Sequence, residues 1–215
     1  MHPQEYVCNV LVTESNNFDV IGARFTVLPE RENTDSIRNI RLLHATMGIC
    51  TEVGELFEFL DKEDLDLTNL KEEVGDAFWY CGIAVDEMKL DLAKMIKDLS
   101  VDVSSPGAIS ESAKRTDLMG LLVAATKDSS LLLDLLKKSA FYGKPLDKDR
   151  FAEVISHFIG LMAQVLALGG FSVAEAMEIN IAKLRKRYGQ KFTEAAAITR
   201  NLEAERQILE GRTHA

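Results

Sequence analysis

The sequence predicts an all-α fold, with a four-helix-bundle core made of two related helical hairpins and further helices flanking it. Three observations carry this expectation. Apolar residues recur near the 3.6-residue period of a helix, and no alternating run bounded by a hairpin turn competes with them. Helix breakers are scarce, with 13 Gly and 4 Pro in 215 residues. One stretch that reads as a linker, Ser100 to Gly107, separates two halves of similar pattern.

Taken in order, helices are expected at about 4–15, 36–61, 67–90, 91–99, 115–141, 149–168, 172–187 and 193–210. Thr34-Asp35-Ser36 can cap the second, and Thr68 or Asn69 the third. Gly169-Gly170 ends the sixth, Ser172 with Glu175 forms a capping box for the seventh, and Gly189 ends it. The repeat aligns Leu42-Leu43-His44-Ala45 with Leu121-Leu122-Val123-Ala124, and Leu70 to Val85 with Phe151 to Leu166. The whole of 1–215 reads as one domain, with a metal-binding half at 36–99 and a second half at 115–210. Two unrelated amphipathic hairpins would also align loosely, so the repeat is the sharper of two readings.

A net charge of −9, from 25 Lys and Arg against 34 Asp and Glu, disfavours nucleic-acid binding through a basic footprint. Met1-His2-Pro3-Gln4-Glu5 has neither a basic nor an apolar leader segment, and the longest apolar run, Phe158 to Leu168, falls short of the ~20 residues of a membrane span. Cys8, Cys50 and Cys81 lack metal spacing and read as small core residues of a reducing compartment. The expectation is a cytoplasmic chain.

The chemistry gathers in the first half. Glu52 and Glu55 lie one helical turn apart, as do Glu73 and Asp76. They border or interrupt apolar stripes (Ile49, Val53, Leu56; Val74, Ala77, Phe78) where solvated acids would lie opposite them. Carboxylates crowded in a bundle repel one another unless a cation lies between them, and an all-oxygen donor set suits Mg²⁺, or Mn²⁺, better than zinc. Gly54 and Gly75 are costly inside helices by roughly 1 kcal/mol each, and one of them facing the other helix would let the two acid-bearing helices approach. The bland reading is a pair of solvated acidic edges. His44 and His157 read as hydrogen-bonded core residues, and Trp79 and Tyr80 as core or as a stacking surface for a base.

These residues resemble the all-alpha nucleoside triphosphate pyrophosphatases, the MazG-like and dimeric dUTPase-like group, and most of all its bacteriophage-type members. The resemblance runs through His44-Ala45-x-x-Gly48-Ile49-x-x-Glu52-x-Gly54-Glu55 and Asn69-Leu70-x-Glu72-Glu73-Val74-Gly75-Asp76-x-x-Trp79-Tyr80. It continues in Asn180-Ile181-Ala182-Lys183-Leu184-Arg185-x-Arg187-Tyr188, in Lys191-Phe192-Thr193 and in Ala197-Ile198-x-Arg200-x-Leu202-x-Ala204-Glu205-Arg206. It implies Mg²⁺-dependent hydrolysis of a (d)NTP to monophosphate and pyrophosphate. Glu52, Glu55, Glu73 and Asp76 would hold the metal, with one of them or Glu72 accepting a proton from water. Lys138, Lys144, Asn180, Lys183, Arg187, Tyr188 and Trp79 would bind substrate. It further implies nucleotide-pool sanitation, a homodimer or tetramer, and host cytoplasm for a phage-encoded chain.

One departure from that pattern is informative. The family's Lys-Lys-x-x-x-Tyr-Gly-Lys-Pro-Leu-Asp loop occurs here in the second half, Lys137 to Asp147, whereas the first half has the plain Asp61 to Asp66. The second half in turn lacks the acids, with Leu131 aligned to Glu52, Val154 to Glu73 and His157 to Asp76, and only Asp134 charged opposite Glu55. One centre is therefore expected to need both halves, within one chain or across a dimer. Without the resemblance, Lys137, Lys138 and Lys144 would read as a solvated helix end, and Asn180 and Lys183 as surface. The alternative function is a catalytically degenerate helical protein that dimerises or senses nucleotide.

Overall fold

A computed structural model describes residues 17–26, 39–97, 99, 111–189 and 193–211. The helix expected at 4–15, Cys8, the caps Thr34 to Ser36, the Ser100 to Gly107 linker, Lys191 and Phe192 lie outside them. Among the described residues the chain is all-α, without strands: α1 Phe18–Thr26, α2 Asn39–Asp61, α3 Leu67–Glu87, α4 Leu92–Lys97, α5 Glu111–Tyr142, α6 Lys148–Gly169, α7 Val173–Tyr188, α8 Glu194–Ile198 and α9 Leu202–Leu209. α1 is not among the expected helices, and the single helix expected at 193–210 is two. It breaks between Thr199 and Asn201, where the Asn201 side chain accepts from the Ala204 N–H and starts α9 anew.

The long helices pack in a closed circuit. α2 lies against α3 and α5, and α6 against α5 and α3. Arg115, at the start of α5, donates to the carbonyls of Leu60 and Glu63, so α5 runs antiparallel to α2. One continuous core joins both halves, from Leu42, Ile49, Leu56 and Phe78 to Leu122, Leu132, Phe151 and Phe158. α6 is long and apolar enough to cross a membrane by length and composition, but it is the helix walled in by α3 and α5, with Phe151, Ile155, Phe158, Ile159 and Val165 fully buried. α7 lies on α3, α9 on α7 and α3, and α1 against α2 and α5, where Arg24 donates to the carbonyls of Ala140 and Phe141 at the end of α5.

The second helix of each hairpin starts in the same way. Asp66 caps α3 and Asp147 caps α6 with nearly identical backbone angles (φ −75°, ψ 90° and φ −74°, ψ 91°). The cap of α3 is thus Asp66, which accepts from Thr68 and Asn69, and not either of those two residues. Burial refines the alignment of the first helices. Leu42, Ala45, Ile49, Glu52, Leu56 and Leu60 precede the equally buried Leu122, Ala125, Ser129, Leu132, Leu136 and Ala140 at one constant spacing. Glu52 therefore matches Leu132, not Leu131, and Glu55 matches Leu135, not Asp134.

Candidate functional site

A cleft of about 860 Å³ opens between the α2–α3 hairpin and the α7–α9 segment. Its floor is acidic. Glu52 and Glu55 from α2 and Glu73 from α3 bring one carboxylate oxygen each within 4.8 Å of one another. Glu52 and Glu73 are buried and Glu55 is exposed. Among the described residues no hydrogen bond or ion pair reaches Glu52 or Glu55, while the Asn69 amide donates to Glu73 at 2.5 Å. Burial first, then the charges of Asp76, Glu55 and Glu73, pushes the Glu52 carboxyl up to about 9. Burial, then Glu55, Glu72 and Asp76, pushes Glu73 up to about 8. An all-oxygen trio that is costly to ionise by itself has the chemistry of a hard divalent-cation site.

Asp76 departs from the expected set of four ligands. It lines the cleft, but one of its oxygens accepts from the Asn180 amide and the other from Lys183, each at 2.5 Å. Lys183 is fully buried, also reaches Glu72 at 3.1 Å, and faces carboxylates in place of a phosphate. Asn180 is likewise buried beneath Asp76. Neither lines the cleft, and both hold Asp76 from behind. The ammonium stays charged because Asp76 and Glu72 offset the burial that opposes it.

Glycine placement is also revised. A Cβ on Gly75 would meet Asn180 Cβ at 3.1 Å and the Ala176 carbonyl at 3.3 Å, so this glycine admits α7, not α2. A Cβ on Gly54 would meet nothing within 4 Å. It is Gly48 whose Cβ would run into the ring of Tyr80, and there α2 and α3 come close.

The far wall is basic. Arg187 makes two bonds to Glu205 (2.9 and 2.5 Å), Arg200 donates to the same carboxylate at 2.8 Å and lies 3.9 Å from Glu72, and Arg206 grips Asp66 at 2.8 and 3.1 Å. An aromatic corner closes one end. His44, Trp79 and Tyr80 meet edge to face with centroids 5.0–6.0 Å apart, and Trp79 is 37% exposed. Trp79 and His44 are thus exposed cleft residues and not core, Tyr80 lines the cleft while packing against the core, and Tyr188 lines the cleft as well. His157 is not core either; it is exposed and bonds the buried Asp128 at 2.6 Å.

Lys138 and Lys144 do not line this cleft. Lys137 and Lys138 both pair with Asp134 at 2.6 Å, holding its carboxyl down to about 2, and Lys144 is exposed beyond the end of α5. Within one chain the expected meeting of this loop with the acids does not occur. Arg200, Glu205 and Arg206 are cleft residues that sequence reasoning left without a role, although all three stand in the segments that carry the family resemblance. Of the cysteines, Cys81 is buried with its thiol pushed up by burial alone, and Cys50 is partly buried; both are free. Compared with protein-family models, curated proteins and solved structures, the chain matches none of them.

Proposed function

We propose that the protein is a Mg²⁺-dependent nucleoside triphosphate pyrophosphohydrolase of the all-alpha class, converting a (d)NTP and water to the (d)NMP and pyrophosphate. The observation that carries this reading is one cleft with three converging carboxylates, a guanidinium wall and an aromatic corner. Those are the three chemistries of a metal-bound nucleotide: cation, phosphate and base. Glu52, Glu55 and Glu73 would hold the ion, which when bound supplies charge neutralisation for the phosphates and for the attacking water.

The chain's own groups divide the remaining work. Lys183 and Asn180 fix Asp76 so that it adds negative potential beside the trio without leaving its position. Glu55, exposed and without a protein hydrogen bond among the described residues, is the carboxylate best placed to take the proton of the attacking water. Glu72 is occupied by Lys183 and so is the poorer base. Trp79, with Tyr80 and His44 behind it, offers an apolar edge for a nucleobase.

A panel of the common NTPs and dNTPs, assayed with Mg²⁺ and resolved by chromatography, tests the reading. Monophosphate and pyrophosphate are expected, with Glu55→Gln lowering turnover by about 100-fold or more. Diphosphate with orthophosphate as products, or no release from any nucleotide, would overturn it.

A further inference from the structure

Which cation meets the substrate phosphates follows from how the basic wall is wired. Arg187, Arg200, Lys183, Glu205, Glu72 and Asp76 form a strip of three positive and three negative groups along the cleft. Most of it is locked. Lys183 is fully buried, and Arg187, with its side chain 12% exposed, spends its guanidinium on both oxygens of Glu205, itself 3% exposed. Withdrawing either would strand a buried charge, a cost of several kcal/mol.

Arg200 differs in each respect. Its side chain is 40% exposed, it stands in the break between α8 and α9, and it shares a Glu205 oxygen that Arg187 already satisfies. It can therefore leave Glu205 without leaving that carboxylate unpaired. Its guanidinium faces the cleft that holds the carboxylate trio.

We propose that Arg200 is the oligophosphate-binding residue of this cleft, transferred from Glu205 to a phosphate of the ligand while Arg187 keeps Glu205 in place. This assigns the phosphate contact to the α8–α9 break and not to Lys138 or Lys144. It rests on the nucleotide reading above for the identity of the ligand, but not on hydrolysis.

Calorimetric titration of the full chain with inorganic pyrophosphate or tripolyphosphate, with Mg²⁺ present, tests it directly. Arg200→Ala is expected to weaken binding by about tenfold or more, the worth of one charge-assisted hydrogen bond, and Arg200→Lys to recover part of it. Arg150→Ala, the loss of an equal charge from an exposed pair with Glu153 on α6, sets the non-specific baseline. Glu205→Gln should tighten binding by removing the competing carboxylate; should this variant fail to fold, the Arg200 series still decides. Binding by the parent chain that Arg200→Ala weakens no more than Arg150→Ala does would overturn the assignment and leave the nucleotide reading standing. No binding of either polyphosphate by the parent chain would overturn both.

Discussion

Glu52 and Asp76 lie in one acidic cleft, yet their neutralisation should have opposite effects. Glu52 has burial and three like charges against it and no protein partner among the described residues, so its carboxyl is held near 9 against an ordinary 4.5. Glu73 is held near 8. The folded chain then binds more protons than the unfolded chain between about pH 4.5 and 9. Stability without divalent cations should therefore fall as pH rises through that window. Glu52→Gln should flatten the fall and raise the melting temperature at pH 8, while removing the stabilisation that Mg²⁺ gives. Asp76→Asn takes a charge from a fully buried lysine that keeps only Glu72, and should cost about 2–3 kcal/mol. Thermal unfolding of both variants at pH 5 and pH 8, with and without Mg²⁺, checks the signs. Equal shifts in the two variants would contradict this division of roles. The contrast was not legible in the sequence, where Glu52 and Asp76 are both acids on an apolar border. It depends on Lys183, more than a hundred residues away along the chain, and periodicity carries no information about such a partner.

At the level of elements, what could be read from the sequence is what local chemistry decides. The spans of α2, α3, α5, α6 and α7 follow from apolar period and breakers, and Ser172 caps α7 as its spacing to Glu175 indicates. Features decided by packing were read less well. One of the two acid-flanking glycines is expected to face the other acid-bearing helix, but Gly54 is open and Gly75 serves α7. Gly48, which stands in the motif without a packing role read for it, admits the Tyr80 ring. Gly48→Ala should therefore destabilise by about 1–3 kcal/mol through overpacking. Gly54→Ala should stabilise by up to about 1 kcal/mol, because its helical site is open and alanine is the better helix former. Chemical denaturation of the two variants separates them, and a stabilised Gly48→Ala would mean that α2 and α3 are free to part. The same limit explains the expected 193–210 helix. Its composition is helical throughout, and the break at Thr199 to Asn201 gains its meaning from Arg200, which pairs with Glu205 on its own wall and lies 3.9 Å from Glu72.

Across the whole molecule, one core spans both halves, and they are expected to need each other, though not as the motif split suggests. The lysine loop of the second half turns away to Asp134, and α7 takes the expected place beside the acids. α2 buries one side against α5, and α3 buries its face against α6 and α7, within one continuous core. Cut within Ser100 to Gly107, a first-half piece would keep Glu52, Glu55, Glu72, Glu73 and Asp76 together and lose Lys183, which balances Glu72 and Asp76. It would also expose Leu42, Leu56, Leu70, Val74 and Phe78 to water, since what covers them is shared with the second half. A hairpin with that much unburied apolar surface and uncompensated charge is not expected to hold a fold. Residues 1 to about 104 alone should show no cooperative thermal transition and should bind an apolar dye. Supplying the remaining residues as a separate chain should restore both a transition and Mg²⁺ stabilisation. Dichroism and dye fluorescence on the two pieces, apart and mixed, provide the measurement. A first-half piece that unfolds cooperatively and is stabilised by Mg²⁺ unaided would show that α7 is an accessory to this acidic site and not its structural counterweight.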